Sequence, residues 1–215
     1  MGKIRVEMTE ISIQKKALFP TSLWQIRFSE DKKKNLDELL LQKIMSTKGT
    51  ANAVVESDKK WYTPRNLHNS KEFELFNDLA LEASRACLDN MRINYEGIKI
   101  TGCWGNVSSP GATHHQHSHP NNYLSGCYYL QADDGANSIT FYDPRPRQNI
   151  RPPIHGPSLE TAEEMHLEVR PGDLIMFPNW LVHSVGENRS RRNRISIAFN
   201  VMFTNYMSDM VAPMW

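Results

Sequence analysis

The sequence predicts a mainly β protein with flanking helices, built as an antiparallel sandwich or jelly roll with an N-terminal helical layer. Apolar residues recur at helical spacing before residue 95 and at alternate positions after it. The later strands are short, near-regular in spacing and separated by turn residues. The chain of 215 residues fits one domain, residues 1–215, long enough to bury a core. Residues 1–95 are expected to supply an extended segment and helices that pack on a β core over residues 96–215.

In chain order, Leu18-Phe19-Pro20 to Ile26-Arg27-Phe28 reads as extended chain or an edge strand. Asn35 to Met45 carries Leu36, Leu39, Leu40 and Ile44 along one helical face, and Lys71 to Met91 does the same with Phe73, Phe76, Ala80, Ala83 and Cys87. Asn69 or Ser70 is expected to cap the second helix, whose first-turn Glu72 and Glu74 suit the positive end of the dipole. Strands are expected at Ile98 to Asn106, Leu124 to Gln131, Ser138 to Tyr142, His166 to Arg170, Asp173 to Phe177 and Arg194 to Phe203. Pro171-Gly172 forms a tight turn between two of them. Arg145 to Glu164, rich in Pro and Arg, is the longest candidate loop, and such loops often act as lids or substrate contacts. Its Arg145, Arg147 and Arg151 could attract an anionic substrate, although a basic loop is usually only solvated.

Composition excludes more than it assigns. Lys plus Arg number 25 and Asp plus Glu 24, a balance that argues against nucleic acid or an anionic membrane as the main partner. Cys87, Cys103 and Cys127 are odd in number and widely spaced, which fits reduced core thiols better than a disulfide framework. No apolar run approaches the roughly 20 residues of a membrane span, and the polar start Met1-Gly2-Lys3 lacks a signal-peptide core. The expected location is the cytoplasm.

The chemistry concentrates in His114-His115-Gln116-His117-Ser118-His119-Pro120 and the distant Phe177-Pro178-Asn179-Trp180-Leu181-Val182-His183. Imidazoles at i and i+2 of an extended segment point to one face and can reach one metal ion, and a third from another strand leaves the opposite side open. Pro120 biases the preceding residue toward extended backbone, as His117 and His119 require. His115 and His117 form a second pair of the same spacing. A His-rich loop can also be merely solvated, and a lone His183 merely a satisfied half-buried residue. Arg194 with Ser196 puts a fork-shaped cation and a hydroxyl on one strand face, able to grip a carboxylate through two hydrogen bonds. His114, His115, His155 and His166 read as surface or substrate-side residues, and Asn106 either faces the metal pocket or simply ends a strand.

His117-x-His119, His183 and Arg194-Ile195-Ser196 together resemble the 2-oxoglutarate and iron(II) dependent oxygenases, whose fold is a double-stranded β-helix, a cupin-like jelly roll. The likeness extends through Leu124-Ser125-Gly126, Phe141, Asp143-Pro144-Arg145 and the opening Leu18-Phe19-Pro20-Thr21. It is similar to a bacterial and phage oxygenase subfamily with a prolyl-hydroxylase-like core. The resemblance implies Fe(II) on His117, His119 and His183, with Arg194, Ser196, Tyr129 and Asn106 holding 2-oxoglutarate as cosubstrate, and O2 as oxidant. It implies hydroxylation of a small molecule or peptide in a bacterial cytoplasm or a phage-infected host, and leaves room for a homodimer. His119 stands where most of the superfamily has Asp or Glu. Three neutral imidazoles leave iron(II) with both positive charges, so the bound dianion would neutralise the site, while the weaker donation makes the oxidising state harder to reach. A His in that position also argues against halogenation, which uses a vacancy left by a small residue. The rival readings are a cupin-like three-His metal enzyme without 2-oxoglutarate and an inactive jelly-roll binding module.

Overall fold

Two antiparallel sheets face one another across the core that the alternating pattern requires. The computed structural model describes residues 14, 16, 18–33, 35–50, 52–145 and 161–209. The strands are β1 (Trp24–Arg27), β2 (Val54–Ser57), β3 (Lys60–Tyr62), β4 (Ile98–Ser108), β5 (His114–His117), β6 (Leu124–Gln131), β7 (Ser138–Tyr142), β8 (Glu164–Glu168), β9 (Asp173–Pro178), β10 (His183–Val185) and β11 (Arg194–Phe203). The helices are α1 (Glu30–Lys33), α2 (Leu36–Ser46), α3 (Glu74–Asn90) and α4 (Thr204–Asp209). The larger sheet runs β1-β9-β6-β11-β4-β3-β2 and the smaller β5-β10-β7-β8, the arrangement of a jelly roll.

The larger sheet has two different faces because its side chains alternate. Leu124, Tyr128, Leu174, Met176, Ile195, Ile197, Phe199 and Val201 form one face, packed under Leu36, Leu40 and Ile44 of α2 and Phe76, Leu79, Ala80 and Ala83 of α3. Burying each large side chain is worth about 1.5–3 kcal/mol, so this layer anchors both helices. Phe76 meets Phe199 edge to face at 5.7 Å, and the Tyr128 hydroxyl donates to Asp37 Oδ1 at 2.6 Å, tying the start of α2 to β6. The opposite face turns Tyr129, Ile175 and Phe177 toward Ile139 and Phe141 of the smaller sheet.

Several expectations need adjustment. The strand expected at His166 to Arg170 runs from Glu164 to Glu168, because the Arg170 N–H is taken by Asp173 Oδ2 and the chain turns at Gly172, φ +88°. Neither Asn69 nor Ser70 caps α3: a 3-10 turn over Lys71–Phe73 precedes it, and the Ser70 hydroxyl turns back to the Leu67 carbonyl. Leu39 is exposed rather than buried with its helical neighbours. The three cysteines are free thiols, and no helix among the described residues is long and apolar enough to cross a membrane. Arg147, Arg151 and His155 lie outside the described residues.

Candidate metal centre

Register brings the histidines together. β5 pairs with β10 so that His117 lies opposite His183, and cross-strand partners share a face. His119 follows just beyond β5 and is held by Asn179: the His119 N–H donates to the Asn179 carbonyl at 2.9 Å, and Asn179 Nδ2 returns a bond to the His119 carbonyl at 3.0 Å. The ring nitrogens of His117, His119 and His183 that could ligate a metal lie within 4.8 Å of one another. Asn179 had no assigned role in the sequence, since the clamp joins two loops across 60 positions.

Tautomers follow from the backbone. His117 Nδ1 lies 2.8 Å from the His115 carbonyl and His183 Nδ1 lies 3.0 Å from the Leu181 carbonyl. A carbonyl can only accept, so both Nδ1 atoms carry the proton and both Nε2 lone pairs are free to bind a metal. His115 is exposed and enters through its carbonyl; the trio is built from the His117-x-His119 pair, not from His115 and His117. Burial, and then the neighbouring His117, push the His183 pKa down to about 3 and that of His119 to about 4, with Arg65 adding to the latter. Burial also lowers His117. All three rings are therefore neutral near pH 7, and a metal need not displace a proton.

His114, read from the sequence as a surface or substrate-side residue, lies half-buried with its ring stacked on His117 at 4.2 Å, and desolvation, then His117 and Lys60, hold its pKa down at about 2. It lies outside the convergent trio but supports one of its members. His166 does lie at the surface, bonded to Thr140 and beside Glu164.

The inner face of the larger sheet carries a second row. Tyr62, Asn106, Ser196 and Tyr129 are consecutive cross-strand partners on β3, β4, β11 and β6. The next level holds Lys60, Ser108 and Arg194. Arg194 is buried, with its guanidinium 5.6 Å from the centre of the Tyr129 ring and one nitrogen 3.4 Å from the Ser138 carbonyl. No carboxylate lies within ion-pair distance of it among the described residues. The Tyr129 hydroxyl is buried with no hydrogen-bond partner of good geometry beyond the weak thiol of Cys127; burial raises its pKa well above the usual tyrosine range. A buried guanidinium and an unsatisfied hydroxyl side by side are the complement of an anion. Asn106 commits its Oδ1 to Trp104 Nε1 at 3.1 Å.

Lys60 gave no signal in the sequence. Its side chain is 3 % exposed, bridged to Glu56 at 3.3 Å and set 5.2 Å over the Tyr62 ring. Burial lowers its pKa, with Glu56 opposing. Phe177 packs edge-on against His183 at 4.7 Å and Phe141 lies behind both, making one wall of the site apolar.

Residues 102–200 match the family model described as "Putative 2OG-Fe(II) oxygenase". No curated protein matches the chain. Among solved structures, it is similar to the non-heme alpha ketoglutarate dependent epimerase SnoN from nogalamycin biosynthesis. That match has 13 % identity and a TM-score of 0.62, covering 85 % of this chain and 77 % of that one. It is also similar to a Pseudomonas putida prolyl-4-hydroxylase, with 12 % identity, a TM-score of 0.59 and coverage of 85 % and 93 %. HygX from Streptomyces hygroscopicus, solved with nickel and 2-oxoglutarate, matches at 14 % identity and a TM-score of 0.58, over 86 % and 84 %.

Proposed function

We propose that this chain is a 2-oxoglutarate and iron(II) dependent oxygenase that hydroxylates a C–H bond of a small molecule or peptide, a reading supported by the family model matched over residues 102–200 and by the fold shared with a prolyl-4-hydroxylase. The overall reaction consumes 2-oxoglutarate and O2 and yields succinate, CO2 and the hydroxylated product. His117, His119 and His183 hold the metal, and Arg194, Ser196 and Tyr129 hold the distal carboxylate of the keto acid. When bound, iron(II) with the keto acid and O2 supplies the oxidant that removes hydrogen from carbon.

The residues do the positioning. The Leu181 and His115 carbonyls fix two imidazole planes, and Asn179 fixes the backbone of the third. Arg194 offers two parallel N–H donors, and its burial strengthens their pull on a carboxylate. Ser196, flanked in register by Asn106 and Tyr129, adds a hydroxyl at the level between that guanidinium and the histidines. Phe141 and Phe177 keep water from the trio's inner side.

The observation that carries this reading is the convergence of three imidazole donors within 4.8 Å in the same core as a buried Arg194 without a carboxylate partner among the described residues. Anaerobic addition of iron(II) and then 2-oxoglutarate is expected to produce a visible metal-to-keto-acid absorption band, and air to release succinate. Arg194→Ala is expected to keep metal content and lose the band. Full succinate release by that variant would point instead to a metal enzyme that does not use 2-oxoglutarate. A wild type that binds metal yet never takes up the keto acid would be a binding module.

A further inference from the structure

We propose that the substrate is an anion, a carboxylate or a phosphate ester, gripped by Arg65 on a shelf made by Trp104. The inference deepens the oxygenase reading by naming the substrate class, and rests on it for the roles of Arg194 and the histidines.

The inner groove has two cationic ends. Arg194 pairs with Ser108 on β4, whereas Ala198, four residues further along β11, pairs with Trp104. At roughly 3.3 Å per residue the two ends are about 13 Å apart. The Arg194 end, with Tyr129 and Ser196, suits the keto acid, and Lys60 at that level is already matched by Glu56. The other end is the side of His119, whose ring lies 6.0 Å from Trp104.

There the Arg65 guanidinium lies 5.2 Å over the Trp104 ring. Trp104 is buried and oriented, its Nε1 donating to Asn106, so the shelf is rigid. Arg65 itself is exposed and has no carboxylate within ion-pair distance among the described residues. A guanidinium stacked on an indole uses only its face; its in-plane N–H donors stay free and pre-aimed for the two oxygens of a carboxylate or phosphate. The same Trp104 ring that carries Arg65 lies 6.0 Å from the His119 ring, which sets the guanidinium beside the histidine trio rather than on a remote surface. Arg145, the one described member of the three loop arginines that the sequence offered for attracting an anion, grips Asp143 through Nε and Nη2 at 2.8–3.1 Å. An anion on Arg65 would leave C–H groups a few bonds away facing the open side of the trio.

The test uses the full chain loaded anaerobically with iron(II), with and without 2-oxoglutarate, and calorimetric titration of three probes: hippurate, phenyl phosphate and the neutral hippuramide. Hippurate or phenyl phosphate is expected to bind the wild type at least about tenfold more tightly than hippuramide, the scale of a charged hydrogen-bonded contact. The tighter anion identifies carboxylate or phosphate as the substrate group. Arg65→Gln should abolish the preference and Arg65→Lys should keep part of it, with 2-oxoglutarate affinity unchanged in both. Equal binding of all three probes to the wild type, or none, overturns the proposal, as does a preference that survives Arg65→Gln. A matching loss of 2-oxoglutarate affinity in Arg65→Gln would also overturn it, assigning Arg65 to the keto acid. Failure of the wild type to take up 2-oxoglutarate would sink the oxygenase reading alone, because the anion preference is still read in the iron-only protein.

Discussion

The buried Tyr129 hydroxyl and the half-buried His114 ring are both held in states that the metal-free protein would not choose for stability alone. An unsatisfied buried hydroxyl costs free energy, so Tyr129→Phe is expected to leave the melting temperature of the metal-free protein unchanged or raise it, by up to about 1 kcal/mol of stability. The same change should weaken 2-oxoglutarate binding about 5- to 10-fold, the worth of one hydrogen bond to a charged group. A large loss of stability with no loss of affinity would remove Tyr129 from the site. His114 gives a pH signature. Its folded pKa, about 2, lies below the unfolded value near 6.5, so between these limits the unfolded chain binds more protons and stability falls as the pH drops below about 6.5. His114→Phe keeps a ring against His117 and removes that proton uptake. Its denaturation midpoint should therefore decline less steeply from pH 6.5 to 5 than the wild type's, and parallel curves would refute the assignment. At this scale the histidines and Arg194 were legible because their spacing along strands carries information. Lys60, Arg65 and Trp104 were not, because their meaning depends on which strands pair across dozens of intervening residues.

Elements dock where glycine lets them. A side-chain carbon on Gly105 of β4 would come within 2.8–3.0 Å of Ile44, so α2 sits against bare backbone there. On Gly126 of β6 it would meet the Phe199 ring at 2.3 Å and Met176 Sδ at 2.8 Å, in the layer packed under α3. Phe199 is fully buried and wedged against Phe76, so it has little room to yield. Gly126→Ala is expected to destabilise the protein by about 1–3 kcal/mol, as overpacking does, in chemical denaturation at unchanged m-value. A neutral result would mean that the sheet and α3 can slide apart cheaply. The sequence reveals such elements unevenly. β6, β7, β9 and β11 were legible because each has apolar residues on a buried face. The β2–β3 hairpin was not, since β2 is wholly exposed, and the histidine segment β5 and three-residue β10 were legible only as extended chain around metal-ligand candidates, without a partner strand. Their strand character comes from the neighbour that hydrogen-bonds to them, which no local pattern records.

For the whole molecule, the site is a tie between distant parts of the chain. The three rings proposed to hold the metal come from β5, the turn after it and β10 in one sheet, while the groups proposed to hold the anion come from β6 and β11 in the other. Ligands that need both sheets bind the folded chain and not the unfolded one, and stabilise it by mass action, about 2.7 kcal/mol at a hundredfold excess over Kd. The proposed chemistry makes the two ligands cooperative. A keto acid that spans from the trio to Arg194 requires the metal at one end, so 2-oxoglutarate alone should shift the melting temperature little. Manganese(II) alone should shift it moderately, and the pair should exceed the sum. Manganese serves because it occupies the same donors without consuming the cosubstrate during the scan. In Arg194→Ala the metal increment should persist while the added keto-acid increment disappears, since only one end of the span is lost. If the shifts for metal and keto acid were simply additive, the two would not share a site. The histidine trio and Arg194 would then be separate features of the two sheets, not the ends of one binding groove.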